Sequence, residues 1–425
     1  MTTDQATARG PAPLGGSERI PGPDLARGFM LLLIVLANTA YYLYGGQRSA
    51  SGAHPVDGSA LDTVVQGILI TTVDLRVYPM FAFLFGYGLV MIARRQEQRG
   101  LSGKQVRSVI QRRNLWLIAF GAVHALLLWG GDILGAYGLT GLVLVWLFLR
   151  RSDRTLLIWA GIGTALVTLV AALSTLGAVA VLAGEDTGSE FDPGFANAAY
   201  ASISAENFWD AAVARMTMWP VQITVVQGPI GLVVPVSILL GFWAARHRVL
   251  ERPQEHRRLL WVTAIAGIGI GWGFGLVHAL AHTGVISGME PAMAALLAPQ
   301  MATGLLCGLG YVAVFGLIGG RLADRPLGPL AHSVTAVGKR SMTCYLAQSV
   351  LCAPLLAAWG LGLGAELGSA SMAAFAIGVW IITIAYALWL ERRASPGPAE
   401  NLLRRLVYGP SEKTPGPPAP ATPAH

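Results

Sequence analysis

Ten long apolar stretches run along the chain, at 24–44, 61–93, 114–130, 133–149, 155–183, 221–245, 259–281, 293–320, 341–360 and 368–391. A membrane-crossing helix needs about 20 apolar residues. The pattern therefore predicts an all-α, polytopic transmembrane bundle of about ten spans. Stretch 61–93 is too long for one span. Asp74, Arg76 and Pro79 predict a break in it, with an outer helix before and the true span after. The run 114–149 reads as two short spans turning at Gly130-Gly131. A single helix there would put the cations of 94–113 and 150–154 on opposite faces of the membrane.

Charge orients the bundle. All but three of the 30 Lys and Arg fall at the N-terminal end, in every second gap, or in the C-terminal tail. The exceptions are Arg48 and Arg215 in the intervening gaps and Arg76 inside a span. Positive loops stay cytoplasmic, so both termini are expected inside. The formal net charge of +7 is then a cytoplasmic rim facing anionic lipid heads, not a nucleic-acid footprint. At 54% hydrophobic and 12% charged residues, the chain is excluded from the ordinary soluble domains.

The expected organisation is a single membrane domain over 19–409 with one sizeable outer loop at 184–220. That loop begins acidic and turns amphipathic around Phe208, Trp209, Met216, Met218 and Trp219. The Gly/Pro-rich tail 1–18 and the Pro-rich tail 410–425 are expected to be disordered. Cys307, Cys344 and Cys352 all lie within spans, which predicts small packing residues and no disulfide framework.

An ionisable side chain in a span costs at least ~2.5–3.5 kcal/mol on insertion scales, so each one needs a partner or a purpose. At about 100° per residue, Asp24, Arg27, Asn38 and Tyr42 share one face of the first span. That face is expected to pack into the bundle near the span at 341–360, with Arg340 and Ser341 beside it. His124 and Asp132 flank the Gly130-Gly131 turn and are expected to pair, either as a buried structural pair or as a general base with its orienting carboxylate. Ser341, Cys344, Tyr345 and Gln348 share a face that serves either helix packing or a substrate cavity. Asp74 and Arg76 are expected to neutralise each other. His278 and His282 have i, i+4 spacing but no Asp, Glu or Cys in support, so no metal site is predicted.

Five segments together resemble the YeiB-like bacterial membrane proteins, domain of unknown function 418. They are D-L-A-R-G-F-M-L-L-L-I-V-L-A-N (24–38), F-A-F-L-F-G-Y-G (81–88), H-A-L-L-L-W-G-G-D-I-L-G-A-Y (124–137), G-K-R-S-M-T-C-Y-L-A-Q-S (338–349) and G-P-A-E-N-L-L-R-R (397–405). The resemblance spans residues 19–409 and implies a bacterial cytoplasmic-membrane protein. The opening segment is also similar to that of the heparan-alpha-glucosaminide N-acetyltransferases and other transmembrane acyltransferases. This implies acyl transfer, with acyl-CoA as a cytoplasmic co-substrate and no resident cofactor. Those acetyltransferases carry an acyl-accepting His in the first outer loop. Here the only His in that loop is His54, and its neighbours Ala53 and Pro55 depart from their motif.

Two function classes follow. In a membrane acyltransferase, Arg27 and Arg340 would dock the phosphates of the donor, and Asp24, Ser341, Tyr345 and Gln348 would line the substrate path. His124, oriented by Asp132, would deprotonate a lipid, glycan or small-molecule acceptor, with Asn38 donating to the oxyanion. In a small-molecule transporter or exporter, the same polar stripes would be pathway contacts and His124–Asp132 a proton relay. No internal repeat of the transporter kind is evident in the sequence.

Overall fold

The computed structural model describes residues 21–47, 54–184, 194–322 and 326–409. The two predicted tails, the acidic start of the 184–220 loop and Arg48 lie outside the described residues. Every regular element within them is a helix. In chain order these are α1 (Pro21–Thr39), α2 (Ala60–Thr72), α3 (Val77–Gln98), α4 (Gly103–Leu127), α5 (Ile133–Phe148), α6 (Asp153–Leu182), α7 (Gly194–Ser204), α8 (Phe208–Val221), α9 (Val233–Arg246), α10 (Arg257–His282), α11 (Leu297–Leu322), α12 (Pro329–Lys339), α13 (Ser341–Leu356), α14 (Ser369–Arg392) and α15 (Pro398–Tyr408).

Among the described residues, six segments are long and apolar enough to cross a membrane: Gly22–Tyr42, Ala60–Gln98, Asp153–Leu182, Arg257–His282, Glu290–Leu322 and Ser369–Arg392. Helices α5, α9 and α13 are apolar but shorter. A broad apolar surface surrounds the bundle. Leu166, Leu169, Leu173 and Leu176 of α6, and Val262, Ile265 and Leu276 of α10, all point outward. Such a surface suits a lipid bilayer.

The predicted break in 61–93 falls at residues 73–76, where Leu75 takes a φ of 60°. Arg76 is fully buried there. Its guanidinium donates to the backbone carbonyls of Asp74 and, at 2.8 Å, Gly271 of α10. It does not use the Asp74 carboxylate in these bonds, so the expected side-chain neutralisation takes a different form. The predicted turn at 130–131 also forms, between α4 and α5. Stretch 221–245 begins later than expected. Pro229 has no N–H to continue a helix. Gly228 and Gly231 sit against the carbonyls of Ile223 and Val225, so α9 starts only at Val233.

Helix α1 runs along the bundle beside α12, α11, α14, α3 and α13. Its contact with α12 depends on two glycines. A Cβ on Gly28 would strike the Val334 carbonyl, and one on Gly338 would strike the Asp24 carbonyl. Close helix approach of this kind requires residues without side chains.

At the end of the molecule bearing Asp24 and Arg27, two of the sequence segments lock together. Glu400 of α15 accepts from the backbone N–H groups of Met342 (3.0 Å) and Thr343 (3.1 Å) and from the Thr343 hydroxyl. In return, the Ala399 N–H donates to Thr343 Oγ1 at 3.1 Å. Each helix thus satisfies the free N-terminal donors of the other.

Candidate functional site

The two larger of the cavities along α1 among the described residues lie one toward each end. The first, of about 130 Å³, is lined by Asn38 from the end of α1, Tyr41 from the turn just beyond it, Tyr78 and Phe81 from α3, and His278 and His282 from α10. His54, Asp74, Gln227 and Gln300 complete its polar wall. His54 is 2% exposed, and its Nε2 lies 2.9 Å from Asp74 Oδ2. The break between α2 and α3 is what brings Asp74 to this position. His282 Nε2 lies 3.2 Å from the Pro55 carbonyl, which pins the segment carrying His54. His54 Nδ1, Tyr78 Oη, Gln227 Oε1 and Gln300 Oε1 are buried and have no hydrogen-bond partner among the described residues. A cavity whose wall keeps unsatisfied polar atoms suits a polar occupant.

The second cavity, of about 240 Å³, is lined by Asp24, Arg27, Arg113, Lys339, Ser341 and Glu400. Its apolar wall includes Phe81, Leu84, Phe85, Ile92, Met342 and Leu403. Arg27 pairs with Asp24 at 3.1 Å. Burial raises the Glu400 carboxyl above the ordinary glutamate value of 4.5, although its hydrogen bonds from Thr343 and Met342 pull the other way.

Phe81 lines both cavities. Its ring stacks on Tyr137 at 5.2 Å, and the Tyr137 hydroxyl donates to the Tyr78 carbonyl at 2.7 Å. One aromatic ring, held by a second, thus forms a wall common to the two spaces.

The residues expected from the sequence divide between these sites. Asn38 lines the first cavity; Asp24, Arg27 and Ser341 line the second. Tyr345 and Gln348 face a small pocket that also touches Asn38, and the Gln348 amide donates to the Leu31 carbonyl of α1 at 3.3 Å. Arg340 is buried, donating to the carbonyls of Ser395 (2.9 Å) and Ala336 (3.2 Å), and does not line the second cavity. His124 and Asp132 do pair, with Nδ1 to Oδ1 at 2.8 Å, but both side chains are fully buried and line neither cavity. Asp132 also caps α5, accepting from Leu134 N (3.2 Å) and Gly135 N (2.6 Å).

The sequence alone gave no role to Arg113 or Glu400 and marked His282 only as half of an i, i+4 pair that predicts no metal site. His282 is in fact buried against the His54 segment. The G-P-A-E segment held a local signal for Glu400, because Pro398 and Glu400 mark a helix start. Nothing local marks the distant amides it reaches.

The whole defines a polytopic, all-helical protein of membrane type. A family model described as "Protein of unknown function (DUF418)" matches residues 244–410, which contain both mutually capping segments. The chain is 27% identical over 408 residues to the "Uncharacterized protein YxaH" of Bacillus subtilis (strain 168), covering 92% of this chain and 95% of that protein. It is 25% identical over 397 residues to the "Uncharacterized protein YeiB" of Escherichia coli (strain K12), covering 90% and 95%. The chain is thus similar over most of its length to the YeiB-like proteins, and over residues 244–410 to the DUF418 model.

Proposed function

We propose that this protein is a ten-span membrane acyltransferase with both termini cytoplasmic. It moves an acyl group from a cytoplasmic acyl thioester such as acyl-CoA to an acceptor on the other side. The observation that carries this reading is the pair of cavities sharing Phe81, one basic and one furnished with a His–Asp pair. The cation-rich end is the cytoplasmic end by the charge rule. The donor's phosphates then sit among the basic residues of the second cavity, and its thioester reaches past Phe81. In the first cavity, Asp74 holds the Nε2–H tautomer of His54 and leaves Nδ1 to take the proton from an acceptor hydroxyl or amine. The acceptor oxygen or nitrogen bonds to the acyl carbon, the carbon–sulfur bond breaks, and the proton ends on the released thiol. Asn38, which lines the same cavity, donates to the developing oxyanion in this scheme. His124–Asp132 supports the fold of the α4–α5 turn in this scheme.

The test is release of free thiol from acetyl-CoA by purified protein in nanodiscs, across a panel of lipid, glycan and small-molecule acceptors. His54→Ala should abolish acceptor-dependent release. Acceptor-dependent release unchanged in that variant would sink the His54 assignment. A second reading, export by alternate opening of the cavities, is favoured by Phe81 lining both of them. It predicts substrate efflux from proteoliposomes with no thiol release.

A further inference from the structure

The charges around the second cavity can be assigned one by one. Arg27 is matched by Asp24 at 3.1 Å. Lys339 is matched by Glu391 at 3.0 Å. Glu400 is engaged with the N-terminal amides of α13. Arg113 of α4 remains. Among the described residues it has no carboxylate within ion-pair distance, and its buried Nη1 donates to nothing. Its guanidinium carbon lies 5.4 Å from the centre of the Phe85 ring, a contact that fixes the plane of the fork without neutralising it. A half-buried cation with a buried, unsatisfied donor and no counter-charge is costly, and a bound anion removes that cost.

We propose that Arg113 is the anion-holding residue of this cavity, and that the cavity takes a phosphate carried on an apolar chain. The guanidinium fork matches phosphate oxygens in pairs. Beside Arg113 stands Phe85, and Phe81, Leu84, Ile92, Met342 and Leu403 give the same cavity an apolar wall unsuited to a free inorganic anion. Two sources share this chemistry: a soluble acyl thioester of a phosphate-bearing carrier, and a membrane lipid with an exposed phosphate. The inference rests on the reading of this cavity as the donor side only for the first source.

The test is native mass spectrometry of the full chain released from phosphatidylcholine nanodiscs. One arm titrates lauroyl-CoA. The other includes phosphatidic acid in the disc. At least one probe should bind the wild type. Arg113→Gln should weaken that probe about 10- to 100-fold, the loss expected for a charge-assisted hydrogen bond. Arg113→Lys should retain most of the affinity. Added salt should weaken binding to the wild type more than to Arg113→Gln. Thermal melts of both variants establish that they are folded. If neither probe binds the wild type, or if folded Arg113→Gln binds as the wild type does, the inference is overturned. If phosphatidic acid alone binds, and does so through Arg113, the inference stands while the acyl-CoA reading above falls.

Discussion

Removing the Glu400 carboxylate should loosen one end of the bundle in a way that a single cysteine reports. In Glu400→Ala, the Met342 and Thr343 amides lose the acceptor that closes the start of α13. Helix caps are worth ~0.5–2 kcal/mol, and leaving a buried donor without its acceptor costs ~1–3 kcal/mol. The loss in docking free energy of α15 should therefore be about 2–4 kcal/mol. Cys344, one residue beyond the capped amides, is fully buried in the docked state. A loss of that size raises the undocked population about 30- to 700-fold. The rate of Cys344 modification by N-ethylmaleimide at neutral pH should rise by a similar factor, while Cys307 and Cys352 stay protected.

Glu400→Gln separates acceptor from charge. Burial holds the Glu400 carboxyl above its usual value, so ionisation in place costs more than its hydrogen bonds return. A neutral amide that keeps one acceptor oxygen should lose less than about 1 kcal/mol at neutral pH. The sign of the pH dependence follows. For an acid with a raised folded pKa, the folded state binds the proton more tightly. Its contribution is fully present below the unfolded value near 4.5 and declines as pH climbs to the raised folded value. The melting temperature of the wild type relative to Glu400→Gln should fall across that window. Cys344 labelling in Glu400→Gln as fast as in Glu400→Ala would refute the reasoning, because charge would then be the stabilising element. Slow labelling in Glu400→Ala would refute the cap itself.

Three further outcomes are expected. Reporter fusions after Ala183 and after Leu250 should fall on opposite faces, outside and inside; identical faces would overturn the topology. Phe81→Ala should join the two cavities, so that a cysteine at position 38 reacts with a membrane-impermeant thiol reagent added from the cation-rich side, whereas the same cysteine behind Phe81 should not. Asp132→Ala should destabilise by about 3–5 kcal/mol, since it strands a fully buried imidazole and uncaps α5; a melting temperature equal to the wild type would argue that His124 finds another partner.

The helices were legible because their signals are local. Apolar run length marked the stretches, while Asp74, Arg76 and Pro79 marked the break between α2 and α3. The delayed start of α9 was equally local, since Gly228-Pro229 is a breaker pair inside an otherwise apolar run. The second cavity was half legible. Helical spacing put Asp24 and Arg27 on one face, and both line it. Arg113 was read only as one of the cations of a basic gap. Its place in the cavity comes from the packing of α4 against neighbouring helices, and no periodicity within α4 shows that. Glu400 caps amides 57 and 58 residues away, a pairing that only the folded chain creates.

The two His–Asp pairs show where reading by residue type stops. His124 and Asp132 are eight residues apart and flank a visible turn, so their contact could be inferred from spacing. His54 and Asp74 are separated by twenty residues and a helix, and nothing in the run of sequence joins them. The bond lengths, 2.8 and 2.9 Å, do not distinguish them. Surroundings do. Asp132 divides its oxygens between His124 and the N-terminal amides of α5, so the pair holds a turn together. Asp74 stands at a break in a helix, and both it and His54 line an open space. General-base chemistry requires that an acceptor reach the imidazole. His54 lines a cavity and His124 lines neither, so the condition favours His54 as the candidate base.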